Sequence, residues 1–173
     1  MPAAAIAVNV YFMKTILYIF IALSVAILSA ASLFGAGSGS SGGGSSFSAN
    51  PEEQARSYYD KGMALAEKEK YDRAAGMFRQ AVSLKKDFAE AYNMLGFSLR
   101  KQGKYDEAIK NYTKALSINP KFAEAHEYIG EAYLGIGDRG SAWEHYLALQ
   151  KLGSEEAEEL GRKIEEYDKA SAK

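Results

Sequence analysis

YNMLGFSLRKQGKYDEAIKNYTKA, residues 92–115, is the stretch that decides the fold. Its glycine at position 96 recurs 34 residues earlier as Gly62 and 34 later as Gly130, and an alanine follows each by twelve residues, at Ala74, Ala108 and Ala142. Tyr58, Tyr92 and His126 keep the same step, as do Phe78, Tyr112 and Tyr146, and Ala81, Ala115 and Leu149. A fixed period with small and large apolar residues at set phases marks stacked helix–turn–helix units, none of which can bury its apolar face alone. Seven helices are expected, at roughly 52–67, 71–84, 88–101, 105–118, 122–135, 139–152 and 154–168.

Each phase has a physical reason. A mid-helix glycine costs up to about 1 kcal/mol relative to alanine. Gly62, Gly96 and Gly130 are therefore expected where the partner helix of the same pair passes close, near Ala74, Ala108 or Ala142. Phe78, Tyr112 and Tyr146 would then fill the gap between one pair and the next. Gly103 and Gly137 suit left-handed caps that end the first helices of the second and third units. Glu69 holds that phase in the first unit, where a non-glycine costs about 1–2 kcal/mol, so a turn of another shape is expected there. Asn50 caps the opening helix, Pro51 suits its first turn, and Glu52 and Glu53 meet the positive end of its dipole. Ser154-Glu155-Glu156 begins a last helix with an apolar stripe at Ala157, Leu160, Ile164 and Tyr167. Its other face is charged, as a helix that closes an array against water requires, and it is expected to cover Trp143, Tyr146 and Leu147.

Residues 55–156 resemble three tetratricopeptide repeats, through Y-x-x-L-G-x-x-L in Tyr92–Leu99, G-K-Y-D-E-A-I in Gly103–Ile109, Ala115 and Asn119-Pro120. The resemblance implies an all-α fold, a right-handed α-α superhelix of three helix pairs with a C-terminal capping helix. The repeats would fall at 55–88, 89–122 and 123–156 of a domain spanning 50–173. It also implies a non-enzymatic adaptor or scaffold that holds a protein or peptide segment in a concave groove, with self-association as the alternative. Carried over position by position, the groove residues are Tyr59, Met63 and Ala66 in the first repeat. Glu90, Asn93, Phe97, Arg100 and Lys101 follow in the second, and Glu124, Glu127, Glu131 and Leu134 in the third. Such a groove grades from apolar through basic to acidic, so it implies a partner with an apolar anchor near Phe97 and basic residues toward the third repeat. Co-chaperone repeats clamp a chaperone's terminal carboxylate with Lys, Asn and Arg. The matching positions here are Tyr59, Met63, Met94, Glu124 and Tyr128, which offer it no cation.

Little else in the chain suggests chemistry. With 21 basic and 22 acidic side chains the net charge is −1, so no global field draws nucleic acid. The chain has no cysteine, which removes disulfides, thiolate metal sites and a cysteine nucleophile. There is no G-x-S-x-G elbow and no H-E-x-x-H pair. Gly96 to Tyr105 fails as a phosphate loop, because its glycines are seven apart and Gly103-Lys104 precedes a tyrosine. His126 takes the place of Tyr58 and Tyr92 and is expected to pack; His145 lies beside Glu144 on a second helix and is expected to be structural or solvated. Metal sites need three or four converging donors, so neither metal nor cofactor is expected, and no enzyme activity.

The N-terminus speaks of export. Ile16 to Phe34 is uncharged and mostly apolar, with Lys14 before it and Ser29-Ala30-Ala31 inside it. This is the pattern of a secretory signal cleaved after Ala31, with Met13 as an alternative start. The stretch is also long enough for an uncleaved anchor, which needs about 20 apolar residues. Either reading of 1–31 puts the remainder outside the cytoplasm, periplasmic or secreted, because the only nearby charge precedes the apolar run. Residues 32–49 are Gly- and Ser-rich, a flexible tether whose G-x-G-x-x-G match lacks the strand and helix that would give it meaning. Alkaline phosphatase fused after Ser48 is expected to be active in a bacterial host, with a mature N-terminus near Ser32 by mass spectrometry. Activity confined to a cytoplasmic β-galactosidase fusion would refute the topology.

Overall fold

The computed structural model describes residues 50–172; the expected signal or anchor and the linker lie outside the described residues. Among the described residues seven helices follow one another: α1 Pro51–Ala66, α2 Tyr71–Leu84, α3 Ala89–Lys101, α4 Tyr105–Ile118, α5 Ala123–Gly135, α6 Arg139–Leu152 and α7 Glu156–Ser171. No strand occurs among the described residues, and no described helix is long and apolar enough to cross a membrane. The helices pack as pairs, α1 with α2, α3 with α4 and α5 with α6, and the second helix of each pair meets the first of the next. The last helix packs on both members of the third pair. It begins two residues later than expected and runs further, to Ser171.

Local chemistry sets the ends. Asn50 Oδ1 accepts the Glu52 N–H at 3.2 Å, with Pro51 in the first turn. Gly103 and Gly137 are left-handed, with φ of +75° and +83°. The following amides, of Lys104 and Asp138, then donate back to Leu99 and Tyr133 carbonyls at 3.0 and 2.9 Å. Glu69 does the same against expectation: its φ is +56°, and the Lys70 amide donates to the Leu65 carbonyl at 2.9 Å. The first turn therefore keeps the shape of the others. Its helix-closing bonds outweigh a left-handed strain of about 1–2 kcal/mol.

The glycines face rings, which corrects the expectation that alanines set their spacing. A methyl placed on Gly62 would lie 2.6 Å from the Phe78 ring, and one on Gly96 would lie 2.8 Å from the Tyr112 ring. Both rings are fully buried. They fill the space within their own pair, against bare backbone. The third repeat breaks this pattern. Above Gly130 sits Leu160 of α7, at 2.6 Å from a notional methyl, while Tyr146 lies instead against Gly161 of α7 at 3.0 Å. The final helix has taken the seat that Tyr146 would occupy by period.

A second series links each pair to the next. The Tyr71 ring meets Phe97 of α3 edge-on at 6.0 Å, and Tyr105 lies against Gly135 of α5, where a methyl would come within 2.6 Å. At the same phase Arg139 bonds Asp168 of α7 through Nε and Nη2, at 2.5 and 2.8 Å. The closing core is made by Ala142, Leu149, Ala157, Leu160 and Ile164. Trp143 and Leu147 are not covered by it. They remain 40% and 39% exposed, because α7 lies toward Gly130 and Tyr146 rather than over the outer side of α6.

Two glycine substitutions separate crowding from propensity. Gly96→Ala is expected to lose about 1–3 kcal/mol by forcing the Tyr112 ring aside. Gly76→Ala, where a methyl meets nothing within 4 Å, is expected to gain up to about 1 kcal/mol from helix propensity. Denaturant unfolding of both variants reads the difference, and equal midpoints would refute the close contact.

Candidate partner-binding groove

Residues four and seven apart share one side of a helix, so α3 presents Asn93, Phe97 and Arg100 together. Phe97 is partly exposed and sits among rings from other helices. Tyr71 of α2 lies 6.0 Å away and Tyr128 of α5 5.5 Å away. The Arg100 guanidinium and the Lys101 ammonium each lie 5.5 Å from the Phe97 ring centre. In the first repeat, Tyr59 is half-buried against Phe88 and Phe78, at 5.1 and 5.7 Å, and Met63 packs partly buried on the same core. Asn93 is 4% exposed, and its Oδ1 has no hydrogen-bond partner among the described residues.

The charges are less free than the sequence suggests. Arg100 lies between rings, 5.3 Å from the Tyr128 centre, and forms an ion pair with Glu131. Burial works against its charge, but Tyr112 and Glu131 beside it raise its pKa further above the ordinary value. Burial also holds the Tyr112 hydroxyl well above the usual tyrosine range, so it stays neutral.

The expected acidic end of the groove is already occupied. Lys163 of α7 donates to Glu127 at 2.9 Å, contacts Glu159 at 3.0 Å, and forms an ion pair with Glu131 as well. Burial disfavours its charge, yet these three carboxylates hold the ammonium well above the ordinary lysine value. Glu127, almost fully buried, moves upward from the carboxylate range, because burial and the neighbouring Glu131 outweigh the pull of Lys163. Lys101 and Glu124 remain exposed and make no ion pair among the described residues. The predicted gradient is thus corrected: the basic step at Arg100 and the acidic step at Glu127 and Glu131 cancel within the protein. Lys163 and Tyr71 are the residues that sequence reasoning missed. Lys163 lies beyond the periodic region, while Tyr71 carried a signal, its match with Tyr105.

Three family models match the chain, described as tetratricopeptide repeat over residues 55–88 and 77–110 and as TPR repeat over 96–137. Among solved structures, a crystal structure of MamA is 32% identical with a TM-score of 0.56, the match covering 58% of each chain. A second MamA crystal structure is 35% identical with a TM-score of 0.54, covering 57% of this chain and 54% of that one. The chain thus spans little more than half the length of these two. The second TPR domain of human RPAP3, solved in complex with an HSP70 peptide, is 25% identical with a TM-score of 0.63. That match covers 66% of this chain and 98% of the domain. Comparison with curated protein sequences gave no match. The chain is a tetratricopeptide repeat protein, all-α over the described residues.

Removing Lys163 tests the closed end. Lys163→Met leaves the buried Glu127 and the part-buried Glu131 with one cation fewer, and is expected to cost up to about 3 kcal/mol, the low end for breaking a buried pair, because Arg100 still pairs with Glu131. The Glu127 pKa, already raised by burial, would then rise further. A group whose pKa is higher folded than unfolded binds more protons in the folded state, so the deficit shrinks as pH falls through the carboxylate range. A variant with unchanged stability at neutral pH would show that the network carries no weight.

Proposed function

We propose that this tetratricopeptide repeat protein is a non-enzymatic adaptor outside the cytoplasm, holding an extended segment of another protein against its first two repeats. The observation that carries this reading is the cluster of Phe97, Tyr71 and Tyr128. These are rings from three successive pairs of elements, left partly open where the first helices converge. An apolar ring in such a setting is a natural anchor, since covering it removes apolar area from water at about 25 cal/mol per Å². Met63 and Tyr59 extend the surface into the first repeat. Asn93, turned toward a bound main chain, gains the hydrogen bond it lacks, and main-chain bonding beside side-chain pockets is a recurring way to hold extended segments. The third repeat contributes less, because Lys163 already neutralises it. The partner segment is accordingly short and carries an apolar residue for Phe97. An acidic residue meets Lys101 and a basic one Glu124. The apolar run Ile16–Phe34, preceded by Lys14, supports the location.

The HSP70 peptide held by the RPAP3 domain is not the partner class proposed. At the positions expected to clamp its carboxylate stand Tyr59, Met63, Met94, Glu124 and Tyr128. Self-association is the second reading, favoured by the exposed Trp143 and Leu147 on one side of α6. Light scattering on the purified chain separates the two, a monomer favouring the adaptor.

Crosslinking in the native host, followed by mass spectrometry, identifies the partner. Phe97→Ala is then expected to weaken its binding by about 2 kcal/mol or more. Asn93→Leu is expected to weaken binding while leaving stability equal or higher, because it replaces a buried, unpartnered polar group by an apolar one of similar size. If both variants melt normally and bind the same partner unchanged, the concave face is not the binding surface.

A further inference from the structure

His126 of α5 and His145 of α6 face each other with their Nδ1 atoms 2.9 Å apart. The other nitrogen of His126, Nε2, lies 3.1 Å from the Pro120 carbonyl oxygen. A carbonyl can only accept, so Nε2 carries the proton and neutral His126 turns an Nδ1 lone pair toward its neighbour. His145 answers with an Nδ1–H. Tyr133 stacks on the His145 ring, 5.8 Å between centres and 17° from parallel. Both imidazoles are only partly buried. The pair is peculiar to the third repeat: the same two phases carry Tyr58 and Met77 in the first and Tyr92 and Asn111 in the second.

We propose that this histidine pair binds a late first-row divalent cation, Cu2+ foremost, through its two Nδ1 atoms. Metal–imidazole bonds are about 2.0–2.1 Å long. Two nitrogens at a right angle then lie about 2.8–3.0 Å apart, and at a tetrahedral angle about 3.3–3.4 Å. The observed 2.9 Å matches the right angle, the edge of the tetragonal geometry that Cu2+ and Ni2+ adopt, and the usual order of affinities places Cu2+ above Ni2+ and Zn2+. On binding, the His145 proton moves from Nδ1 to Nε2, so each ring stays neutral and no net proton is released. The cation sits off the line between the nitrogens, so both rings tilt toward it. The Pro120 carbonyl serves as the outer partner that orients a ligating histidine. No cluster of three ligating groups occurs among the described residues, so water fills the remaining positions.

The test uses the untagged full chain and Cu2+ alone. Titration against a chromophoric chelator is expected to show one tight Cu2+ equivalent per chain, with Zn2+ weaker by at least tenfold. His126→Tyr and His145→Asn, which install the second repeat's own residues, are expected to weaken Cu2+ binding at least tenfold while melting like the parent. Electron paramagnetic resonance of the parent is expected to show hyperfine coupling to two imidazole nitrogens that changes on 15N-histidine labelling. This readout decides the matter even where a variant fails to fold. Copper bound without histidine coupling, bound equally by folded variants, or not bound at all would overturn the proposal.

Discussion

A flat ring pressed on bare backbone governs the spacing of this array. Phe78 on Gly62 and Tyr112 on Gly96 bring the two helices of a pair closer than any side chain on the glycine allows. A buried tyrosine brings a hydroxyl with it, and burying an unpaired polar group is costly. Tyr112 places that hydroxyl near the Arg100 guanidinium, although it has no hydrogen-bond partner among the described residues; Arg100 in turn pairs with Glu131, and Glu131 with Lys163. One packing decision in the middle repeat is thus tied, through a row of charged groups, to the helix that ends the domain.

That row divides the candidate groove into two unlike halves. Where Arg100, Glu127, Glu131 and Lys163 meet, the charges satisfy one another, and a ligand would have to break existing pairs. Around Tyr59, Met63 and Phe97 nothing comparable stands in the way. A partner of the kind proposed is better sought for its complement to the aromatic half than for a charge gradient along the whole groove.

The repeat architecture was legible because a period of 34 exposes the same constraint three times, and helix ends fell within about three residues of expectation. The groove positions followed only from family resemblance, since nothing in the spacing separates Phe97 from an ordinary packing residue. What stayed hidden depends on parts of the chain that do not repeat. Leu160 replaces Tyr146 over Gly130, and Lys163 reaches Glu127 and Glu131, because the last helix follows its own register, and no period reveals how it leans. Glu69 was misjudged for another reason: the strain is local, whereas the hydrogen bond that imposes it closes a whole turn. The two histidines meet only through the packing of α5 on α6.

The substitution of Leu160 for a repeat aromatic also bears on how such a chain can lengthen over generations. A fourth unit appended after residue 153 would bring its own first helix to the place now held by α7, and Gly130 would lose its lid. Duplication within residues 55–122 leaves that lid in place and reproduces a ring-on-glycine contact already complete in itself. The terminal helix therefore acts as a fixed end that copies inserted ahead of it leave undisturbed.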